Sequence, residues 1–192
     1  MNKTFDEYLP LFSRIDEFIQ SKKRVIVGID GNSASGKSTL ASLLKANYSC
    51  NIFSMDDFFL RPVQRTQERY NEVGGNIDYE RFNEEIIKPL KSEKSFYYQP
   101  YDCQTMTLSE PIWSTPNPVN VIEGVYSLHP SYIEAYDIKV FMAVDENEQR
   151  RRLFERNAEL YNRFLYEWIP LENKYFSHFH IPEQCDIVFS QR

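Results

Sequence analysis

The chain has 192 residues, 42% of them apolar, so it can bury one sizeable core but is short for two full domains. Its net charge of -6, from 28 acidic and 22 basic residues, provides no overall basic field, so we do not expect nucleic acid as a main partner. No apolar run approaches the roughly 18 residues of a membrane span and the polar N-terminus does not resemble a secretory signal, so we expect a cytoplasmic protein without membrane attachment.

Apolar spacing along the chain predicts alternating helices and strands. Apolar residues at three- and four-residue intervals predict an N-terminal helix over about residues 4–21. Short apolar runs predict buried strands over residues 25–29, 51–54, 119–125, 138–144 and 186–189. Further helices are predicted over residues 37–46, 78–91, near 131–136 and over 146–175, with residues 96–120 as a loop or hairpin. We expect Pro89 to end or distort its helix, and the last helix to be interrupted near Pro170.

This alternation predicts an α/β fold with a parallel sheet flanked by helices. We expect a single domain over residues 1–192. Residues 1–24 would contribute an N-terminal helix, and about 146–180 a helical lid and C-terminal helices.

The segment "GIDGNSASGKSTL" follows the first predicted strand and opens a helix. It contains the pattern G-x-x-x-x-G-K-[ST] as Gly31, Gly36, Lys37 and Ser38. In that context the loop amides surround nucleotide phosphates, the lysine reaches the terminal phosphates and the serine hydroxyl binds Mg²⁺. We therefore predict a P-loop NTPase fold and a phosphate site formed by Gly31, Asn32, Ser33, Ala34, Ser35, Gly36, Lys37, Ser38 and Thr39.

Carboxylates follow two of the predicted strands. Glu123 ends the strand in "VNVIEG", where a second oxygen donor for Mg²⁺ is expected; an exposed charge after the strand is the alternative. Asp56 and Asp57 follow the second strand in "FSMDDFF" and could lie beside the loop at the carboxyl edge of the sheet. A carboxylate there could orient an acceptor hydroxyl and take its proton, whereas a helix cap or turn is the alternative.

Several segments, taken in order, resemble the uridine kinase and phosphoribulokinase-like family of P-loop small-molecule kinases. They are "GNSASGKST", "SMDDFF", "PYD" at 100–102, "EG" at 123–124 and "RRLFERN"; "DDFF" is also similar to nicotinamide riboside kinases. The resemblance implies a Mg²⁺-dependent enzyme that transfers the γ-phosphoryl of ATP to a hydroxyl of a small molecule, with a nucleoside as the expected acceptor.

The same resemblance implies roles for three acceptor-side residues. Asp56 would be the general base aimed at the ribose 5′-hydroxyl. Asp78 would bind other sugar hydroxyls, although it could equally be a helix N-cap. Tyr101 would contact the nucleobase, with a buried packing role as the alternative.

Four arginines lie where the family has a lid that closes on the phosphates. Arginine suits that task because its planar guanidinium stays charged and binds two oxygens at once. Arg152 and Arg156 are four residues apart and share a helix face, so we take them as the lid pair, with Arg151 as a further candidate. A plain solvated helix face is the alternative.

Two departures from the family pattern leave the acceptor open. Pyrimidine nucleoside kinases carry a histidine after the "YD" segment, whereas this chain has Met106 there, and Asn157 and Ala158 replace a second arginine cluster. The acceptor could therefore be another small metabolite, or the chain a kinase-like protein without activity. A nucleotide-dependent regulatory protein is a further alternative, although a guanine-reading N-K-x-D segment is lacking. The sequence leaves oligomerisation open.

Overall fold

The fold is described from a computed structural model that covers residues 5–191. The predicted helix start at residue 4, like the rest of residues 1–4, lies outside the described part, as does Arg192. The nine strands found there are β1 Val25–Gly31, β2 Cys50–Ser54, β3 Phe96–Tyr98, β4 Tyr101–Asp102, β5 Thr107–Leu108, β6 Ile112–Ser114, β7 Val119–Glu123, β8 Ile138–Val144 and β9 Ile187–Gln191.

Five of these strands form one parallel sheet in the order β2-β7-β1-β8-β9. The predicted α/β fold with a parallel sheet is therefore confirmed. The remaining strands form two small antiparallel pairs, β3 with β6 and β4 with β5, so the predicted loop or hairpin region contains short hairpin strands. Because all five sheet strands run the same way, the carboxyl ends of β1, β2 and β7 meet at one edge.

Helices cover both faces of the sheet. They are α1 Leu9–Lys22, α2 Lys37–Asn47, α3 Gln67–Asn71, α4 Tyr79–Phe82, α5 Lys88–Lys91, α6 Glu146–Arg156, α7 Tyr161–Arg163 and α8 Ile169–His178. Short 3-10 turns occupy Phe5–Tyr8, Met55–Phe58, Pro62–Gln64, Ile133–Ala135 and Pro182–Gln184. Two π-helical turns, Asn83–Ile87 and Phe164–Trp168, connect α4 to α5 and α7 to α8. Among the described residues, no helix combines the length and apolarity needed to cross a membrane.

The predicted interruption near Pro170 is wrong. Pro170 lies in the first turn of α8, where its missing N–H removes little, and a π-helical turn precedes it. The chain instead leaves the helix after Arg156, at Asn157, whose side-chain oxygen accepts a hydrogen bond from the Leu160 N–H. An asparagine that bonds to the local backbone competes with helix continuation.

Two further boundaries differ from the predictions. The segment near 131–136 forms only a 3-10 turn, Ile133–Ala135. The predicted strand over 119–125 ends at Glu123 because Gly124 turns the chain with a φ of 137°, a conformation that favours glycine. Glu123 is therefore the last residue of β7 and lies at the edge where β1 also ends.

The alternation of side chains along β1 divides the core between the two faces of the sheet. Val25, Val27 and Ile29 pack in a cluster that contains residues of α1 and α2, whereas Ile26 packs in the cluster that contains residues of α8. All residues of β1 are buried, as expected for the central strand of a covered parallel sheet.

Candidate active site: a phosphate loop with acidic neighbours

The glycine-rich loop connects β1 directly to α2. Gly31 has a φ of 136°, and a Cβ at that position would lie 2.1 Å from the backbone oxygen of Met142, so only glycine fits. Ala34 and Gly36 also have left-handed backbones, with φ values of 61° and 96°. Gly36 has no side chain to cap α2, which leaves the first amides of the helix for a ligand. The loop therefore has the geometry of an anion-binding turn.

Lys37 begins α2, and its ammonium folds back over the loop. Its Nζ donates to the carbonyl oxygens of Gly31, at 2.8 Å, and Asn32, at 2.9 Å. Burial lowers the pKa of Lys37, while the carboxylates of Glu172, Asp30, Glu123 and Asp56 favour its charged form. These bonds place a cation at the mouth of the loop, where it could reach a terminal phosphate.

Ser38 and Glu123 provide oxygen donors for a metal ion. The Ser38 hydroxyl lies 3.2 Å from both carboxylate oxygens of Glu123, which is buried at the end of β7. Burial raises the pKa of Glu123, and Lys37 and Ser38 oppose that shift. Within residues 5–191 no group of three or more His, Cys, Asp or Glu side chains is placed to hold a metal. A hydroxyl and one carboxylate suit Mg²⁺, which takes its remaining ligands from water and substrate phosphates.

The paired aspartates after β2 lie in the 3-10 turn Met55–Phe58. Asp56 is exposed and near enough to influence the charge of both Lys37 and Glu123, so the predicted proximity of these groups is found. Asp57 is half-buried, and its pKa is raised by burial and by the adjacent Asp56, against the effect of Arg81. The two carboxylates therefore have different surroundings, and both are near enough to Glu123 to influence its charge.

Asp78 is buried directly before α4. Its Oδ1 accepts from the Arg81 N–H at 3.1 Å, so the helix N-cap geometry is present. Its Oδ2 has no hydrogen-bond partner among residues 5–191, although guanidinium nitrogens of Arg61 and Arg81 lie 3.5 Å away. A buried carboxylate oxygen without a hydrogen bond is costly, and a ligand hydroxyl could satisfy it.

Tyr101 lies on β4 and is almost fully buried. Its hydroxyl accepts from the Arg65 guanidinium at 3.1 Å and donates to the sulfur of Met106 at 3.4 Å. Tyr101 therefore has contacts within the fold, and Met106, at the position where the resemblance implies a histidine, contributes a thioether.

Comparisons with known proteins identify relatives of this arrangement, although no family model matches the chain. Uridine-cytidine kinase-like 1 from Mus musculus is 29% identical over 168 residues, which cover 76% of this chain and 30% of that protein. Uridine kinase from Macrococcus caseolyticus is 28% identical over 145 residues, which cover 71% of this chain and 70% of that protein. The chain therefore spans less than two thirds of the mouse protein.

Solved structures give the same fold. A possible uridine kinase from Bacillus stearothermophilus has a TM-score of 0.64 at 23% identity, covering 94% of this chain and 99% of that one. Phosphoribulokinase from Rhodobacter spheroides has a TM-score of 0.58 at 13% identity, covering 88% and 71%. The chain is therefore similar in sequence to uridine kinases and shares its fold with P-loop kinases.

The arginines of α6 have unequal surroundings. Arg152 is half-buried, and its guanidinium donates to Glu148 at 2.7 Å and to the backbone oxygen of Ala34 in the phosphate loop at 3.1 Å. Arg151 lies between Glu148 and Glu155 on the exposed face. Arg156 is exposed at the end of the helix. Of the predicted lid pair, only Arg152 contacts the phosphate loop in this structure.

The structure also places two carboxylates at the loop that our sequence analysis missed. Asp30 precedes Gly31 and is fully buried, accepting from the N–H groups of Gly31 and Leu128 and from the Tyr175 hydroxyl. Glu172, on α8, accepts from the N–H and hydroxyl of Ser33. A charged residue ending an apolar strand was the available signal for Asp30. Glu172 could not be found this way, because its partner Ser33 lies far away along the chain.

Proposed function

We propose that this P-loop kinase transfers the γ-phosphoryl of ATP to a hydroxyl of a small molecule, with a ribonucleoside as the acceptor. The observation that carries the proposal is the convergence of Lys37, the Ser38–Glu123 pair and Asp56 at one edge of the sheet. The uridine kinases among its relatives support the nucleoside, at 25–29% identity.

Residues of the phosphate loop bind ATP in this proposal. The amides of residues 31–39 surround the phosphates, and Lys37 exchanges its carbonyl partners for phosphate oxygens. Ser38 and Glu123 hold Mg²⁺ directly or through water. The bound ion supplies charge neutralisation on the β- and γ-phosphates.

Asp56 acts as the general base. Its carboxylate accepts the proton of the acceptor hydroxyl while that oxygen forms a bond to the γ-phosphorus. The bond from the γ-phosphorus to the β,γ-bridging oxygen breaks, and ADP leaves. Arg152 and Arg156 would balance charge on the transferred group when the helices over about 146–180 close as a lid.

Asp78 and Tyr101 form the acceptor side. The Oδ2 of Asp78 would accept from a ribose hydroxyl, beside the guanidinium groups of Arg61 and Arg81. Tyr101 would contact the base. Met106 offers no hydrogen-bond donor, so base selection would depend less on hydrogen bonds than in kinases with a histidine there.

The test is Asp56→Asn, compared with the matched substitution Asp57→Asn. Purified protein is incubated with Mg·ATP and nucleosides, other ribosyl compounds, pantothenate and sugar phosphates, and ADP release and product mass are measured. We expect Asp56→Asn to retain ATP binding and lose roughly 100-fold or more in turnover, because a positioned base contributes about that much. Unchanged turnover would exclude Asp56 as the base. ATP hydrolysis that no acceptor stimulates would instead favour a regulatory protein.

A further inference from the structure

Three side chains from the C-terminal helices converge on two neighbouring residues of the phosphate loop, Ser33 and Ala34. Gln149 donates to the backbone oxygen of Ser33 at 2.9 Å, and Arg152 donates to that of Ala34 at 3.1 Å. Glu172 accepts from the Ser33 N–H at 3.0 Å and from the Ser33 hydroxyl. The Ser33–Ala34 segment is therefore bonded on its N–H, hydroxyl and carbonyl groups by helices distant in sequence.

Glu172 is one of two α8 residues that hold the start of the loop. Tyr175 lies three residues later on the same helix face, and its hydroxyl donates to Asp30 Oδ2 at 2.9 Å. Asp30 Oδ1 in turn accepts from the Gly31 N–H at 2.7 Å. Helix α8 thus contacts the residues on both sides of Gly31, through separate carboxylates.

The carboxylate of Glu172 is buried next to the phosphate loop. Glu172 is only 4% exposed, so its ionised form is costly unless donors and a cation compensate. A buried carboxylate adds little to stability compared with an apolar side chain of the same size, so its place here points to a role in the loop's shape and charge.

We propose that Glu172 is a positioning residue for the phosphates of ATP, which fixes Ser33 in the phosphate loop. The inference rests on the proposed function, because it assumes that the loop binds ATP. Glu172 would act through Ser33 rather than touch the acceptor. Its loss should therefore weaken ATP binding and leave the acceptor's KM unchanged.

The experiment measures Kd for ATP by isothermal titration, and KM for the acceptor, in Glu172→Gln, Ser33→Ala and the double variant. We expect Glu172→Gln to raise Kd for ATP by roughly tenfold or more, because the amide has one acceptor oxygen and leaves one of the two Ser33 donors poorly matched. Adding Ser33→Ala should then raise Kd by less than it does in the parent, because the two groups contact each other. The matched control is Glu167→Gln, which removes the charge of an exposed carboxylate paired with Arg163 in the preceding turn. Its Kd for ATP should stay within about twofold of that of the parent.

Tyr175→Phe distinguishes positioning from a general shift of α8. It removes the bond to Asp30 without touching Ser33, and should lower the melting temperature with a smaller change in Kd for ATP than Glu172→Gln. The inference is overturned if Tyr175→Phe raises Kd equally, if Glu172→Gln binds ATP like the parent, or if the Glu172 and Ser33 effects simply multiply. A parent protein that does not bind ATP would instead overturn the proposed function, and this inference with it.

Discussion

Asp30 is a carboxylate enclosed by the fold immediately before the phosphate loop. It accepts hydrogen bonds from Gly31, Leu128 and Tyr175, yet burial is the largest influence and raises its pKa from 3.8 to about 6. The folded protein therefore binds this proton more tightly than the unfolded chain does. Between these two pKa values the contribution of Asp30 to stability falls as the pH rises.

We predict that Asp30→Asn removes this part of the pH dependence. The pKa difference of about two pH units corresponds to roughly 3 kcal/mol in the free energy of unfolding. The stability advantage of the parent over the variant should shrink by up to that amount between about pH 4 and about pH 7. Urea unfolding of both proteins across this range measures it, and two parallel stability curves would contradict the prediction.

Glu123 is predicted to control the requirement for Mg²⁺. Glu123→Gln keeps an oxygen near Ser38 but removes the charge, so the Mg²⁺ concentration for half-maximal ADP formation should rise by roughly tenfold or more. The titration is done at a fixed concentration of ATP. The control is Glu80→Gln, which removes the charge of an exposed carboxylate paired with Arg69. A Mg²⁺ titration that is the same in Glu123→Gln and the parent would remove Glu123 from the proposed metal site.

At the scale of single residues, the sequence predicts the site residues whose positions depend only on their neighbours along the chain. Gly31, Gly36, Lys37 and Ser38 are recognisable because one short loop imposes their spacing. Glu172 is not, because its partner Ser33 lies far away along the chain and only the packing of α8 brings the two together.

At the element scale, the arginines of helix α6 have different surroundings. Glu148 bonds both Arg151 and Arg152, and these bonds hold the pKa of Glu148 at about 2. Arg151 is exposed, whereas Arg152 also reaches Ala34. Arg152 is therefore bonded to the phosphate loop, whereas its neighbour Arg151 lies on the solvent side of the helix.

We predict that Arg152→Gln lowers kcat by roughly tenfold or more, because it removes a guanidinium from the loop and from the proposed lid. Arg150→Gln is the matched control; its ion pair with Glu146 is exposed, and it should leave kcat within about twofold. Initial rates at saturating ATP and acceptor measure both. Equal losses in the two variants would indicate a general effect of helix charge rather than a role for Arg152.

The helix ends show where sequence patterns fail. Pro170 predicts an interruption, but a π-helical turn before it accommodates the proline and the helix continues as α8. The break at Asn157 depends on a side-chain bond to Leu160, a local alternative that apolar periodicity does not report.

At the scale of the whole molecule, α1 covers one face of the sheet. Ile15 is fully buried on that face among residues of β1, β7 and β8, whereas Leu9 is 44% exposed. The apolar runs predicted the strands and the parallel sheet, but not the order β2-β7-β1-β8-β9, because strand order depends on pairings between distant segments.

We predict that Ile15→Ala lowers the free energy of unfolding by about 2–5 kcal/mol, because it leaves a cavity between α1 and the sheet. Leu9→Ala should cost less than about 1 kcal/mol. Denaturant unfolding of both variants measures the difference. A small loss at Ile15 would mean that α1 can be displaced without loosening the sheet.

The position of β1 in the sheet has a consequence for how the chain acquires its structure. β1 ends at Gly31, but its two neighbours are β7 and β8, which begin at Val119 and Ile138. At synthesis rates of about 5–20 residues per second, the ribosome needs roughly 5–20 s to reach β7, and until then the central strand has no partner. During that interval α1 and α2, which pack with β1 on one face of the sheet, are already made. The amphipathic helix that precedes β1 is therefore available to cover one face of this apolar strand before its partner strands exist.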